Sequence, residues 1–309
     1  MITSSDAAAE AIPELLPGQT VAGKWHGRRY WVERKAGAGS NGAVYRIRHG
    51  KRALALKLGR GTLDAQMEVN TLRQLIADGA LDAGYLVDVD DWLGPGGREI
   101  PFYVMPYIEG SSALDYIRER GFEWFPPITL RLLEKLARLH RHGWVFGDLK
   151  TDNIRVSGYG VAELIDYGGA TRFGQAVKQF TEIYDRGFWN AGSRTSEPSY
   201  DLFAFAVLCL QLGGHAVQVD RLANGLPQNR SVRDLIAVAQ SSSVCRPYAP
   251  LLAAMWQGKF RDAGEACAAW RRLSRTARTR MPQPEAKWIG YALAGSAAAL
   301  VGAALWYWA

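Results

Sequence analysis

Within residues 145–154, VFGDLKTDNI, three side chains of complementary chemistry stand at fixed offsets: Asp148, Lys150 and Asn153. The spacing D-x-K-x-x-N suits phosphoryl transfer. A carboxylate at Asp148 can orient a hydroxyl and accept its proton, an ammonium at Lys150 can offset charge on the group in flight, and the amide oxygen of Asn153 can hold a magnesium ion. Thirteen residues past Asn153, after the strand-like Glu163-Leu164-Ile165, Asp166-Tyr167-Gly168 supplies a second oxygen ligand in Asp166. Each residue alone reads as a turn or cap; the ordered set does not.

Such chemistry needs elements that hold phosphates. Gly37, Gly39, Gly42 and Val44 meet G-x-G-x-x-G-x-V, where missing side chains let backbone N–H groups approach phosphate oxygens. A flexible hairpin explains a glycine cluster by itself about as well, and a strand rather than a helix follows Gly42, which argues against a dinucleotide-binding turn. Strands expected over residues 30–35, 43–48 and 52–58 form an antiparallel start, and the third carries Ala55-Leu56-Lys57, a lone Lys able to reach α- and β-phosphates. A helix capped by Thr62 or Asp64 then carries Met67, Glu68, Leu72 and Leu75. Glu68 is the only Glu between Lys57 and Glu99 and is the expected ion-pair partner of Lys57.

These elements occur in order over roughly residues 30–212, and together they resemble the Hanks-type (eukaryotic-like) bacterial serine/threonine protein kinases, in their small form with a C-terminal transmembrane helix. The resemblance implies a bilobal α+β fold, ATP with Mg2+ or Mn2+, and transfer of the γ-phosphate to Ser or Thr of proteins, the chain itself included. It makes Asp148, Lys150, Lys57 and Glu68 the catalytic set and Asn153 and Asp166 the metal ligands. The nucleotide site would draw on Gly37, Gly39, Gly42, Val44, Ala55 and Lys57, with Met105 and Tyr107 from a hinge at residues 102–107. Asp201 would brace the catalytic loop, and Thr181 would stand near Asp148 and Lys150 in the substrate loop. The implied organisation is an extension at 1–24, an N-lobe at 25–106, a C-lobe at 107–270, a basic juxtamembrane segment at 271–287 and a membrane helix at 288–309.

Two departures stand out. The H-R-D of these kinases reads Phe146-Gly147-Asp148, without the Arg that grips a phosphorylated loop, and no A-P-E precedes Asp201, where Ser196-Glu197-Pro198 stands instead. Gly147-Asp148 also resembles the aminoglycoside and choline phosphotransferases, so a small-molecule kinase is the rival enzyme. A membrane-tethered pseudokinase scaffold is a third reading, weakened by the presence of Lys57, Asp148, Asn153 and Asp166.

Composition fits a folded protein: 48% of the 309 residues are apolar and 22% charged. Of the net +7, residues 259–287 contribute eight basic against three acidic residues, which leaves most of the chain near neutral. Residues 288–309 contain no charge and carry Trp or Tyr at both ends; as a helix they span roughly 33 Å, against about 30 Å of hydrocarbon. The preceding basic block keeps the kinase portion at the cytoplasmic face of the membrane. Five Arg within residues 271–280 suit anionic lipid and, as a sharper alternative, nucleic acid. Ala294, Ala298 and Gly302 share a helix face that would permit a homodimer. The opening residues lack the basic start of a signal peptide, and Cys209, Cys245 and Cys267 form neither a disulfide framework nor a metal motif.

Overall fold

Alternating burial along residues 29–58 builds the first layer. The computed structural model describes residues 12–39 and 42–280, with side chains to Ser274, and the helical positions Ser296, Leu300, Ala303 and 306–308. Strands β1 (Thr20–Ala22), β2 (Arg29–Gly39), β3 (Gly42–His49) and β4 (Arg52–Gly59) are followed by helix α1 (Thr62–Ala77), then β5 (Asp88–Leu93) and β6 (Glu99–Pro106). The six strands form one antiparallel sheet in the order β1-β2-β3-β4-β6-β5. Val21, Tyr30, Val32, Tyr45, Ile47, Leu54, Leu56 and Phe102 bury one face, as period-2 alternation requires. The lobe starts before the expected boundary at Trp25, because β1 pairs with β2 and Leu15 joins the same core.

Helix α1 has Gly61 as its N-cap, and neither Thr62 nor Asp64 caps it. Gly59 permits this early start: a Cβ there would lie 2.7 Å from Cβ of Ala65, so strand end and helix start pack without an intervening side chain.

The lower lobe contains β7 (Ser111–Ser112), α2 (Ala113–Arg120), α3 (Phe125–Arg141), β8 (Trp144–Val145), β9 (Ile154–Ser157), β10 (Val161–Leu164) and β11 (Thr171–Arg172). Helices α4 (Pro198–Leu210), α5 (Ala216–Ala223), α6 (Val232–Ser241), α7 (Ala249–Trp256) and α8 (Ala263–Arg280) follow. The run Pro198–Ala223 is apolar enough to cross a membrane, yet it is a core helix: every residue from Tyr200 to Leu210 is buried. Trp270 stacks on Tyr248 at 4.3 Å between ring centres and meets Phe205 edge-on, closing the base of this core. The three cysteines are buried, and burial lifts Cys245 to about 11, so it stays a thiol at neutral pH.

By internal contacts the chain divides into Met1–Arg271 and Arg272–Ala309. Apart from the six helical positions named above, the expected membrane span and most of its small-residue face lie outside the described residues. In the basic run, the Arg271 side chain is committed to Glu134 on α3 rather than left for an anionic partner.

Candidate active site

The cleft between sheet and lower lobe is a cavity of about 600 Å³. All eight residues expected to bind nucleotide line it: Gly37, Gly39, Gly42, Val44, Ala55, Lys57, Met105 and Tyr107. Asp148, Lys150, Asn153 and Asp166 line it from below. Pairing of β4 with β6 sets Ala55 opposite Met105 and Lys57 opposite Tyr103, which brings the Lys strand to the hinge. The glycines are not equivalent. A Cβ at Gly42, where φ is +151°, would lie within 2.1 Å of the Leu58 carbonyl, whereas at Gly37 or Gly39 it would meet nothing within 4 Å. The fold itself requires Gly42; the other two leave open space toward the cleft.

Lys57 and Glu68 are nearly fully buried, at 4% and 5% exposure, and Lys57 Nζ lies 2.9 Å from Glu68. The same ammonium lies 3.3 Å from Asp166 Oδ1. Burial opposes its charge, but the carboxylates of Asp166 and Glu68 outweigh that and hold Lys57 above its ordinary range. The Tyr103 hydroxyl donates to Glu68 Oε2 at 3.0 Å, and burial followed by the Glu68 charge keeps this phenol protonated as a donor. Tyr103 escaped the sequence reading because nothing in a β-strand pattern marks a Tyr as the partner of a distant Glu.

Around Asp148 three donors converge. Lys150 Nζ reaches Oδ2 at 2.6 Å, Asn153 Nδ2 reaches Oδ2 at 3.2 Å and the backbone carbonyl at 2.8 Å, and the Thr181 hydroxyl reaches Oδ1 at 3.0 Å. Asn153 thus spends its amide nitrogen on Asp148 and turns its oxygen to other use. With Asp166, whose left-handed backbone (φ +60°) aims its carboxylate back at Lys57, this donor set fits a hard divalent cation. The cavity and the Lys57 ammonium fit a nucleotide triphosphate.

Below the cleft, Asp201 accepts from the backbone N–H groups of Phe146 at 2.8 Å and Gly147 at 3.0 Å, and His140 Nε2 lies 3.0 Å away. His140 Nδ1 accepts from Ala263 N at 3.1 Å, which leaves Nε2 as the protonated nitrogen and defines the tautomer. Phe146 packs edge-on against Tyr167, and Tyr167 against Tyr85, at 5.3 and 5.2 Å. The missing Arg before Asp148 also has a steric cause: at Gly147 (φ +84°) a Cβ would lie 2.6 Å from the Gly169 carbonyl.

The segment after Gly169 is tied down within itself. Arg194 pairs with buried Asp185 at 2.7 Å, and Asp185 also accepts from Tyr200 and from the amides of Gly187 and Phe188. Arg186 pairs with Glu197 at 2.6 Å and donates to Ser199 and Ser193, so an Arg inside the loop anchors the Glu that lacks its A-P-E setting. No local pattern announces this pairing, since the two residues are separated by a loop whose path only packing defines.

No protein-family model matches the chain. It is 35% identical over 264 residues to the serine/threonine-protein kinase YabT of Bacillus subtilis (strain 168), a match covering 84% of this chain and 76% of that protein. It is also 35% identical over 149 residues to the serine/threonine-protein kinase PknL of Mycobacterium tuberculosis, covering 45% of this chain and 36% of that one. Among solved structures, vaccinia related kinase 3 superposes with a TM-score of 0.58 at 15% identity, over 87% of this chain and 94% of that chain, a likeness of fold. The chain belongs to the Hanks-type serine/threonine protein kinases. It is a protein kinase by family and fold, and membership implies ATP and a divalent metal.

Proposed function

We propose that this kinase transfers the γ-phosphate of ATP to Ser or Thr side chains of proteins, itself included, at the cytoplasmic face of a membrane. The convergence of Lys150, Asn153 and Thr181 on Asp148, 2.6–3.2 Å from its carboxylate oxygens, carries the catalytic part. Asp148 would accept the proton of the attacking hydroxyl, oriented by those three donors, while Lys150 offsets charge on the phosphoryl group. Lys57, held by Glu68, would grip the nucleotide phosphates. A divalent cation held by Asp166 and Asn153 would supply charge neutralisation between the phosphates. Catalysis of this kind is mostly positioning and electrostatics, which suits a site assembled before substrate arrives.

The membrane part is supported by the uncharged residues 288–309 and by the exposure of Leu300, Trp306, Tyr307 and Trp308 on helical backbone.

Incubation of the full chain with γ-labelled ATP, Mg2+ or Mn2+ and a generic protein substrate tests the reaction. Label on protein that vanishes in Asp148→Asn is expected. ATP binding without label on any protein would overturn it. Extraction of cell membranes at alkaline pH tests the anchor: the full chain is expected in the pellet and a chain ending at Lys287 in the supernatant, and a soluble full chain would retire the span.

A further inference from the structure

Helix α1 carries Glu68 and ends on Asp78, its C-cap. The Asp78 carboxylate reaches out of the upper lobe: Oδ2 lies 2.7 Å from Arg172 Nη2 on β11 and accepts from the Trp144 indole N–H on β8 at 2.8 Å. Arg172 and Trp144 are themselves a cross-strand pair, and the guanidinium stands 4.8 Å from the indole ring centre. A carboxylate, a cation and a ring thus close a triangle that joins three segments.

Each segment leads to a group of the active site. Asp148 follows Trp144 by four residues, Arg172 follows Asp166 by six, and Glu68 precedes Asp78 by ten, about 15 Å along the helix. A helix is rigid over that length, so a hold on its end fixes where Glu68 stands. An exposed ion pair by itself contributes little. This one is backed by the donor of a buried indole and by the ring beneath the guanidinium.

In protein kinases the position of this helix decides whether the Lys–Glu pair is closed, and a phosphorylated loop can supply the hold. Here the loop has no Ser or Thr free for that role. Between Gly169 and Asn190 Thr171 is buried and Thr181 is bonded to Asp148, while Gly147 stands where an Arg would receive the phosphate.

Resting on the nucleotide reading of the cleft, we propose that Asp78 and Arg172, with Trp144, are positioning residues for Glu68. Their clamp holds α1 so that the Lys57–Glu68 pair is closed for nucleotide without a phosphorylated loop. Two sites that do not touch are then energetically coupled.

Binding of a non-hydrolysable ATP analogue with Mg2+ to the full chain, followed by titration calorimetry, tests the clamp in wild type and in Asp78→Ala, each with and without Glu68→Gln. If loss of the clamp leaves the pair closed in about a tenth of the molecules, Asp78→Ala binds about tenfold more weakly. In the Glu68→Gln background the same substitution is expected to cost less than about twofold, because no pair is left to position. Substitutions this far apart ordinarily add, so a merely structural Asp78 would cost the same factor in both backgrounds, and that result would overturn the proposal. Arg172→Gln removes only the exposed cation and keeps the acceptor of the Trp144 indole, so the core stays closed. It is expected to weaken binding about threefold, again only where Glu68 is present, with Arg172→Lys recovering most of the loss; wild-type affinity in Arg172→Gln would overturn the clamp. Wild-type chain treated with phosphatase is expected to bind as tightly as untreated chain. A tenfold loss on that treatment would show that phosphate holds the helix and would overturn the proposal as well. Failure of the wild type to bind the analogue would strike the nucleotide reading and the proposal together, an outcome distinct from binding without coupling.

Discussion

Thr181 donates its hydroxyl to Asp148 Oδ1 at 3.0 Å, and Lys150 bridges the two, 2.6 Å from Asp148 Oδ2 and 3.3 Å from Thr181 Oγ1. The loop carrying Thr181 is thereby fastened to the stretch that carries Asp148 and Lys150. Thr171, the other Ser or Thr between Gly169 and Asn190, is fully buried and donates to the Gly169 carbonyl. With Arg194 on Asp185 and Arg186 on Glu197, charged residues of the chain itself hold the loop.

Replacing Asp148 by Asn removes the proposed proton acceptor and is expected to lower kcat by roughly a hundred- to ten-thousand-fold while the melting temperature changes little. Thr181→Val removes one hydrogen bond to a charged group, worth roughly 1.5–3 kcal/mol, so activity should fall about ten- to a hundredfold, and Thr181→Ser should restore most of it. Steady-state kinetics on the three variants decides; full activity in Thr181→Val would remove the loop fastening from the account.

Gly168 lies where a side chain would strike the ion pair. A Cβ there would be 3.0 Å from Glu68 Oε1 and 3.2 Å from Asp166 Oδ1. Gly168→Ala is expected to displace Glu68 and weaken nucleotide binding. Titration calorimetry with ATP should show the loss, and in Glu68→Gln the further substitution should cost less, because the disturbed pair is already gone.

Lys57 fixes the sign of a pH prediction. Its folded pKa is raised above 10.5, so the stabilising charge is present below that value and is lost only as pH climbs through the higher folded value. Between about pH 6 and about pH 9 the contribution of Lys57 to nucleotide affinity should therefore be constant. Lys57→Met should weaken binding by the same factor at both ends of that range, and a factor that shrinks toward alkaline pH would contradict the assignment.

Asp201 offers a test of stability. In Asp201→Ala the amides of Phe146 and Gly147 lose their acceptor inside the core, at about 1–3 kcal/mol each. A destabilisation of about 3 kcal/mol or more corresponds to a fall in Tm of roughly 6–12 °C, measurable by thermal unfolding. A shift under about 2 °C would show that the catalytic loop has other support.

Much of the site was legible in the sequence because phosphoryl transfer demands residue types at short spacings: Asp148, Lys150 and Asn153 lie on one stretch, and glycines mark the place where backbone must meet phosphate. The first strands were legible from alternation, although β1 was missed because three residues carry too little period to be seen.

What the sequence determined by itself was the list of reacting groups and the family to which they point. Tertiary structure alone decided who holds them in place: Tyr103 on Glu68, Thr181 on Asp148, Asp201 on the amides of Phe146 and Gly147, Arg186 on Glu197. Chemistry at the reacting centre constrains residue identity at fixed offsets, whereas support can come from any donor that packing delivers within about 3 Å of an acceptor.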